Sequence, residues 1–243
     1  MSREQGAVVV TGGNRGIGAA IADRLLEDGW DVVSIARHPP TREHHRLHGV
    51  IADCADPEEL RLAAADIADR FAVVGLVHNA GVIRPALLEE VALEDVEYLT
   101  RLHLEAAIVL AQTFLPTMKR EGFGRIVNIS SRGALGLATR SAYAATKAGL
   151  IGMTRTWALE LGPHGITANV VAPGPTVTDM FHEIVPEDSD QKRALARSIP
   201  VRRLGEPEDV AQAVAFLCDR RSGFITGQTL YVCGGTSVGS LQL

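Results

Sequence analysis

From end to end, short apolar runs alternate with longer stretches in which apolar residues recur every three or four positions. The runs at 7–11, 31–36, 49–52, 73–78, 125–130, 167–171 and 229–232 are short and mostly rich in β-branched residues. They predict strands, most of them buried on both faces. Helical spacing between them predicts helices over 16–27, 57–71, 93–119, 142–161 and 206–218. Pro57 suits a first helical turn, and Gly122 and Gly162-Pro163 suit helix ends. Strands separated by helices imply an α/β architecture, a doubly wound sheet of about seven parallel strands with helices on both faces. No repeat or low-complexity linker interrupts the pattern, so residues 1–243 are expected to form a single domain. The stretch 179–203 is mixed, charged and weakly periodic. It is expected to be a mobile flap over a site, with 179–205 as its outer limits.

Composition narrows the class. The chain has 243 residues, 46% hydrophobic and 22% charged, which is globular composition. A net charge of -5 argues against nucleic acid or an anionic membrane as the main partner. No apolar run approaches the roughly 18 residues that span a bilayer, and the polar opening reads as neither signal nor transit peptide. Cys54, Cys218 and Cys233 are scattered without a CxxC, which reads as reduced thiols in a cytoplasmic protein.

Candidate chemistry sits at two places. Tyr143 and Lys147 are four residues apart in Ser-Ala-Tyr-Ala-Ala-Thr-Lys, so one helical turn puts them on one face. A phenol titrates near about 10, and a neighbouring cation lowers that value. A drop of three units needs about 4 kcal/mol, more than one lysine supplies. An oxidised nicotinamide ring is a natural second positive charge, which points to hydride chemistry. The other place is Thr11-Gly12-Gly13-Asn14-Arg15-Gly16-Ile17-Gly18, between the first strand and the first helix. Glycines there let the backbone approach a pyrophosphate, and the helix N-terminus offers free N–H groups to it.

With these motifs in view, the chain resembles the short-chain dehydrogenase/reductase family over essentially its whole length. The family's glycine motif matches Thr11 to Gly18, and its Asn-Ala-Gly motif matches Asn79-Ala80-Gly81, with His78 where asparagine is commoner. Its Tyr-x-x-x-Lys matches Tyr143 and Lys147, and its Pro-Gly matches Pro173-Gly174. Its C-terminal signatures match Ile225-Thr226-Gly227 and Gly234-Gly235. The resemblance implies a Rossmann-type fold and a catalytic serine, for which Ser130 and Ser131 stand as candidates and Ser131 is favoured. By the same resemblance Ser131 holds the substrate oxygen, Tyr143 transfers the proton, and Lys147 lowers the Tyr143 pKa and binds the nicotinamide ribose. Many relatives hold a relay water with an asparagine; its place is taken here by His103, 28 residues before Ser131. A histidine there is expected to give activity an acidic limb near its usual pKa of about 6.5, removed by His103→Asn.

The resemblance also implies a nicotinamide contact set: Gly12, Asn14, Arg15, Gly16, Ile17, Gly18, Asn79, Ala80, Gly81, Pro173, Gly174, the Thr176 backbone, and Thr178 near the phosphates. Asp53 matches a contact to the adenine amino group. NAD-preferring relatives carry an acidic residue at the end of the second strand; here Ala36 stands there, followed by Arg37. Arg37 and Arg15 suit a 2′-phosphate, so the expected cofactor is NADP(H). Relatives are commonly tetramers, and the tail from Thr236 onward suits a subunit contact. The nearest general look is to 3-oxoacyl-acyl-carrier-protein reductases. The positions where those carry basic residues for the carrier read Gly122 and His164 here, which favours a free ketone or secondary alcohol as substrate. Met180, Phe181, Ile184 and Val185 suggest that it is mainly apolar. A non-catalytic NADP-binding sensor is the rival from another class, opposed by the intact Ser131–Tyr143–Lys147 set. His44 and His48 have helical metal-ligand spacing, but no acidic or thiol partner is near, and no metal site is expected.

Overall fold

In a computed structural model, the chain is described over residues 6–182, 185–187 and 189–238, apart from the side chain of Met180. In order, the strands and helices are β1 (Ala7–Thr11), α1 (Gly16–Glu27), β2 (Asp31–Ala36), β3 (Leu47–Ile51), α2 (Pro57–Arg70), β4 (Val73–His78), α3 (Leu93–Thr100), α4 (Ala106–Glu121), β5 (Gly124–Ile129), α5 (Ser141–Leu161), β6 (Ile166–Pro173), α6 (Asp179–His182), α7 (Asp190–Ser198), α8 (Pro207–Cys218) and β7 (Thr229–Val232). Among the described residues the strands form one parallel sheet in the order β3-β2-β1-β4-β5-β6-β7.

Alternation along each strand supplies two cores. In β1, Ala7 and Val9 face one layer with Leu60, Ile67, Leu110 and Phe114, from α2 and α4. Val8 and Val10 face the other, with Ile21, Leu25, Val210 and Val214, from α1 and α8. Burial on both faces is why these strands read as continuous apolar runs rather than alternating ones. Local chemistry sets the helix starts. The Asp56 carboxylate accepts from the N–H groups of Glu58 and Glu59 at 2.9 and 3.0 Å, and Pro57 follows it.

The connection from β1 leads through α1 and β2 to one side, while β4 lies on the other, so the strand order reverses between β1 and β4. That reversal opens a crevice beyond the carboxyl ends of the strands, where open α/β sheets bind ligands. Two expected elements differ. The helix expected over 93–119 is interrupted by a π-helical turn, Arg101–Glu105, between α3 and α4. The weakly periodic stretch, expected to be a mobile flap, contains the helices α6 and α7, and residues 179–205 bury Val185, Ile199 and Leu204. Ile184 and the Met180 side chain, read above as apolar substrate contacts, lie outside the described residues, as does the tail beyond Val238.

Candidate active site

The glycine loop fits a dinucleotide phosphate because bulk is excluded from it. Gly12 and Gly16 have φ of +66° and +51°, in the left-handed region that disfavours side chains. A Cβ on Gly18 would lie 2.0 Å from the Gly12 carbonyl oxygen, so only glycine lets the start of α1 pack this close to the turn. Asn79 braces the loop: its Nδ2 donates to the Thr11 carbonyl at 2.9 Å, while the Asn79 and Ala80 backbone N–H groups donate to Thr11 Oγ1 at 2.9 Å each. Asn79 thus acts on the loop from β4, across the strand-order reversal.

A cavity of about 1250 Å³ runs from this loop across the carboxyl ends of β1, β2, β4, β5 and β6. Gly12, Asn14, Arg15, Gly16, Ile17, Gly18, Arg37, Asp53, Asn79, Ala80, Gly81, Ser131, Tyr143, Lys147, Pro173, Gly174, Thr176 and Thr178 all line it. His103 does not; it is fully buried behind the wall. Ala36 ends β2 at the rim, with Arg37 and His38 beyond it and no carboxylate in its place. The Asp53 carboxylate accepts from Ala55 N–H at 2.8 Å, which shapes the loop after β3. Thr178 packs its methyl group towards Gly16, joining the segment after β6 to the glycine loop.

At the far end stand the two serines, the phenol and the lysine. Ser130 is buried, and its hydroxyl donates to the Lys147 carbonyl at 2.7 Å, a structural tie between β5 and α5. Ser131 accepts from Gly133 N–H at 2.9 Å, and it stands close enough to Tyr143 to lower the phenol's pKa. Lys147 is 3% exposed; its Nζ donates to the Ile129 carbonyl at 2.8 Å and lies 5.8 Å from the centre of the Tyr143 ring. Burial dominates both charges. Desolvation raises the Tyr143 pKa, against the lowering effects of Ser131 and of the Arg140 charge. The same cause drops Lys147 from 10.5 to about 7. Burial outweighs the lowering by Ser131 and Arg140, so the chain's own groups leave the phenol above its ordinary value, and the acidification expected of Lys147 is not among their effects.

His103 corrects a second expectation. It belongs to the π-helical turn, 0% exposed, and burial, then the Lys147 charge, hold its pKa far below the usual histidine value. Burial thus favours the neutral imidazole, which argues against an acidic limb near 6.5 from this residue. The neighbouring groups fix its tautomer. The Thr146 hydroxyl has one proton, directed at the carbonyls of Ala142 and Tyr143, so His103 Nδ1 donates to Thr146 Oγ1 at 2.9 Å. The Nε2 lone pair is left free. A Cβ on Gly81 would lie 3.0 Å from this Nε2 and 3.3 Å from Lys147 Nζ, so both atoms converge on Gly81. His78 is the complement. Thr11 Oγ1 already accepts two N–H groups, so its proton goes to His78 Nδ1 at 3.2 Å. The His78 Nε2–H then faces the Leu102 and His103 carbonyls of the π turn without closing a full hydrogen bond, and burial lowers its pKa to about 3.

Thr146, Arg140 and the pairing of His78 with the π turn went unnoticed in the sequence. Thr146 carried a usable signal, since three residues after Tyr143 it must face the same neighbour. The histidines 44 and 48 do not share a helix: His48 lies in β3 and packs on Phe71. Among the described residues, the three cysteines are free and buried.

A glycine cradle at the strand-order reversal, joined by one cavity to a buried Tyr–Lys pair, defines a nucleotide-dependent oxidoreductase of the Rossmann type. The family model described as enoyl-(acyl carrier protein) reductase matches residues 12–237. The chain is 38% identical to (2S)-[(R)-hydroxy(phenyl)methyl]succinyl-CoA dehydrogenase subunit BbsD of Thauera aromatica, over 98% of this chain and 99% of that one. It is 36% identical to the 3-oxoacyl-acyl-carrier-protein reductase FabG of Vibrio cholerae, over 97% and 98%. A Beutenbergia cavernae protein assigned as an NAD(P)-dependent gluconate 5-dehydrogenase, solved with NADP at low occupancy, superposes with a TM-score of 0.90 at 34% identity, covering 98% and 99% of the two chains. The chain belongs to the short-chain dehydrogenase/reductase family, and it is an oxidoreductase acting between CH–OH and C=O. Among the described residues, no helix is long and apolar enough to cross a membrane.

Proposed function

We propose that this protein interconverts a ketone and a secondary alcohol with NADP(H), using Tyr143 as the proton donor and acceptor. The observation that carries the reading is the Ser131–Tyr143–Lys147 cluster at the end of the cavity that begins at the glycine loop. The nicotinamide, when bound, supplies or accepts the hydride. The chain's residues do the rest. Ser131 holds the substrate oxygen, and Tyr143 gives it a proton during reduction. Lys147 carries the compensating charge and binds the ribose hydroxyls. His103, through its free Nε2, accepts from the Lys147 side or from a water between them.

Gly12, Asn14, Gly16, Ile17, Gly18 and Thr178 hold the phosphates, and Asp53 the adenine amino group. Asn79, Ala80 and Gly81 support the nucleotide from β4; Pro173, Gly174 and the Thr176 backbone hold the carboxamide. Arg15 and Arg37 favour a 2′-phosphate where Ala36 removes the carboxylate that would repel it. The bound NADP of the Beutenbergia protein supports the same choice. We take residues 1–243 as one domain whose segment 179–205 closes over the cavity. A cytoplasmic homotetramer is our reading of the assembly, since Ile108 and Leu159 leave apolar surface on α4 and α5.

NADPH absorbance followed over a panel of ketones tests this. Wild type is expected to consume NADPH with at least one ketone, and Tyr143→Phe to lose about 10²-fold or more in kcat. Undiminished turnover in Tyr143→Phe would remove the phenol from the reaction. A second reading, reduction of a 3-oxoacyl carrier protein, rests on the similarity to the Vibrio reductase. Gly122 and His164, at the ends of α4 and α5, offer no fixed charge for an acidic carrier. Comparing acetoacetyl carrier protein with a free β-keto ester separates the two.

A further inference from the structure

Hydride transfer to a neutral ketone does not require cationic side chains at the substrate end of the cavity, yet three are there. Arg132, Arg140 and Arg202 line it, beyond the Arg15 and Arg37 of the nucleotide end. Among the described residues none of these five is in a salt bridge, whereas Arg24, Arg42, Arg70, Arg84, Arg203 and Arg221 each meet a carboxylate. Arg132 is engaged with loop carbonyls, donating to Thr236 and Gly136 at 3.4 and 3.3 Å, and Arg202 donates to the Arg197 carbonyl.

Arg140 is different. It immediately precedes α5, three residues before Tyr143, and only its Nη1 is engaged, by the carbonyl and hydroxyl of Thr139. Its Nε is buried without a partner. An N–H removed from water and left unpaired is destabilising, the more so on a charged group. Thr139 itself has φ of +64°, a conformation that a β-branched residue rarely adopts, and its carbonyl accepts from Ala86 N–H at 3.0 Å. A strained, braced residue thus presents the guanidinium at the cavity wall. Val82, Ile83, Leu137, Phe181, Val185 and Ile199 give that wall an apolar part.

We propose that Arg140 anchors a carboxylate of the substrate, so that the enzyme acts on an apolar oxo acid or hydroxy acid. This rests on the reading of the cavity as an NADP(H)-dependent carbonyl site. Arg140 and Tyr143 line the same cavity, three residues apart at the start of α5, so an anion held by Arg140 lies on the same side of the cavity as the reacting oxygen. The phosphates of a thioester carrier are separated from their carbonyl by the whole arm, and cannot meet Arg140 while the carbonyl meets Tyr143. Arg140 is accordingly a specificity-determining residue.

Calorimetric titration of the NADPH-loaded protein with 4-phenylbutyrate and with 4-phenylbutyramide reads this without turnover. The acid is expected to bind the wild type at least about tenfold tighter than the amide, the size of one charge-assisted hydrogen bond. Arg140→Gln is expected to erase that difference with NADPH affinity and Tm unchanged, and Arg140→Lys to keep part of it. Equal affinities in the wild type, no acid binding in the millimolar range, or an acid preference that survives in Arg140→Gln overturns the proposal. If Arg140→Gln fails to fold, the wild-type acid–amide comparison decides alone. NADPH binding is measured first. Its failure removes the cofactor reading and the proposal with it, whereas NADPH binding without acid preference removes the proposal only.

Discussion

Lys147 is a charged residue by type in a place that disfavours charge. Its pKa falls from 10.5 to about 7 on burial, so the folded state binds fewer protons than the unfolded state between those values. The sign follows. As pH drops from about 10.5 to about 7, the unfolded chain takes up a proton that the folded protein resists, and stability falls; below about 7 both states carry it and the dependence ends. Such cost at a functional residue is the usual exchange of stability for activity. Lys147→Met removes it, at the expense of the bond to the Ile129 carbonyl. The variant is expected to be inactive, and its Tm relative to wild type to be higher at pH 7 than at pH 10. Thermal melts of both proteins at the two pH values measure this. A Tm difference independent of pH would show that Lys147 is as protonated when folded as when unfolded.

At the scale of elements, the π turn between α3 and α4 governs what the site can do. One extra residue in the helical ladder rotates His103 and frees carbonyls at Leu102 and His103, which the buried His78 then faces. Helical spacing alone could not show this: a π turn preserves the apolar pattern closely enough that 93–119 reads as one helix. The strands were legible because burial on both faces leaves a continuous apolar run, and the cradle because glycine is required where φ is positive. The helix α7 within the flap was not legible because it is nine residues long and buries none of them fully. Tyr143 and Lys147 were visible from spacing, and Ser131 through the family resemblance, but the pKa shifts of the phenol and the lysine were not, since desolvation depends on what other elements cover. The tautomer of His103 likewise depends on Thr146, 43 residues away. If His103 acts as a neutral acceptor, His103→Leu is expected to lower kcat by about tenfold to hundredfold with NADPH affinity retained, and His103→Asn to restore most of the rate. Neither variant is expected to shift the acid limb of the pH–rate profile. An acid limb near pH 6.5 that vanishes in His103→Asn would show instead that the imidazole titrates.

The whole molecule carries a net charge of -5, yet five arginines that meet no carboxylate among the described residues line its main cavity. A negative surface repels an anionic nucleotide at long range, and the cationic, low-dielectric cleft must reverse that within roughly a Debye length, about 10 Å at 0.1 M salt. At the nucleotide end of the cleft, Arg15 and Arg37 line the wall beside the end of β2. NADPH brings one more phosphate than NADH, about -1.5 to -2 of additional charge, to that spot. Salt therefore weakens the two cofactors unequally. The ratio of kcat/KM for NADPH over NADH is expected to exceed about tenfold at low ionic strength and to shrink as salt rises to about 0.5 M, where the Debye length is under half its low-salt value. Arg37→Ala is expected to lower the ratio and flatten its salt dependence together, because both come from the same charge. Initial rates at several salt concentrations with each cofactor measure it. A ratio near one at low salt, or one insensitive to salt in the wild type, would detach Arg15 and Arg37 from the 2′-phosphate and leave their lack of carboxylate partners to be explained by another anion.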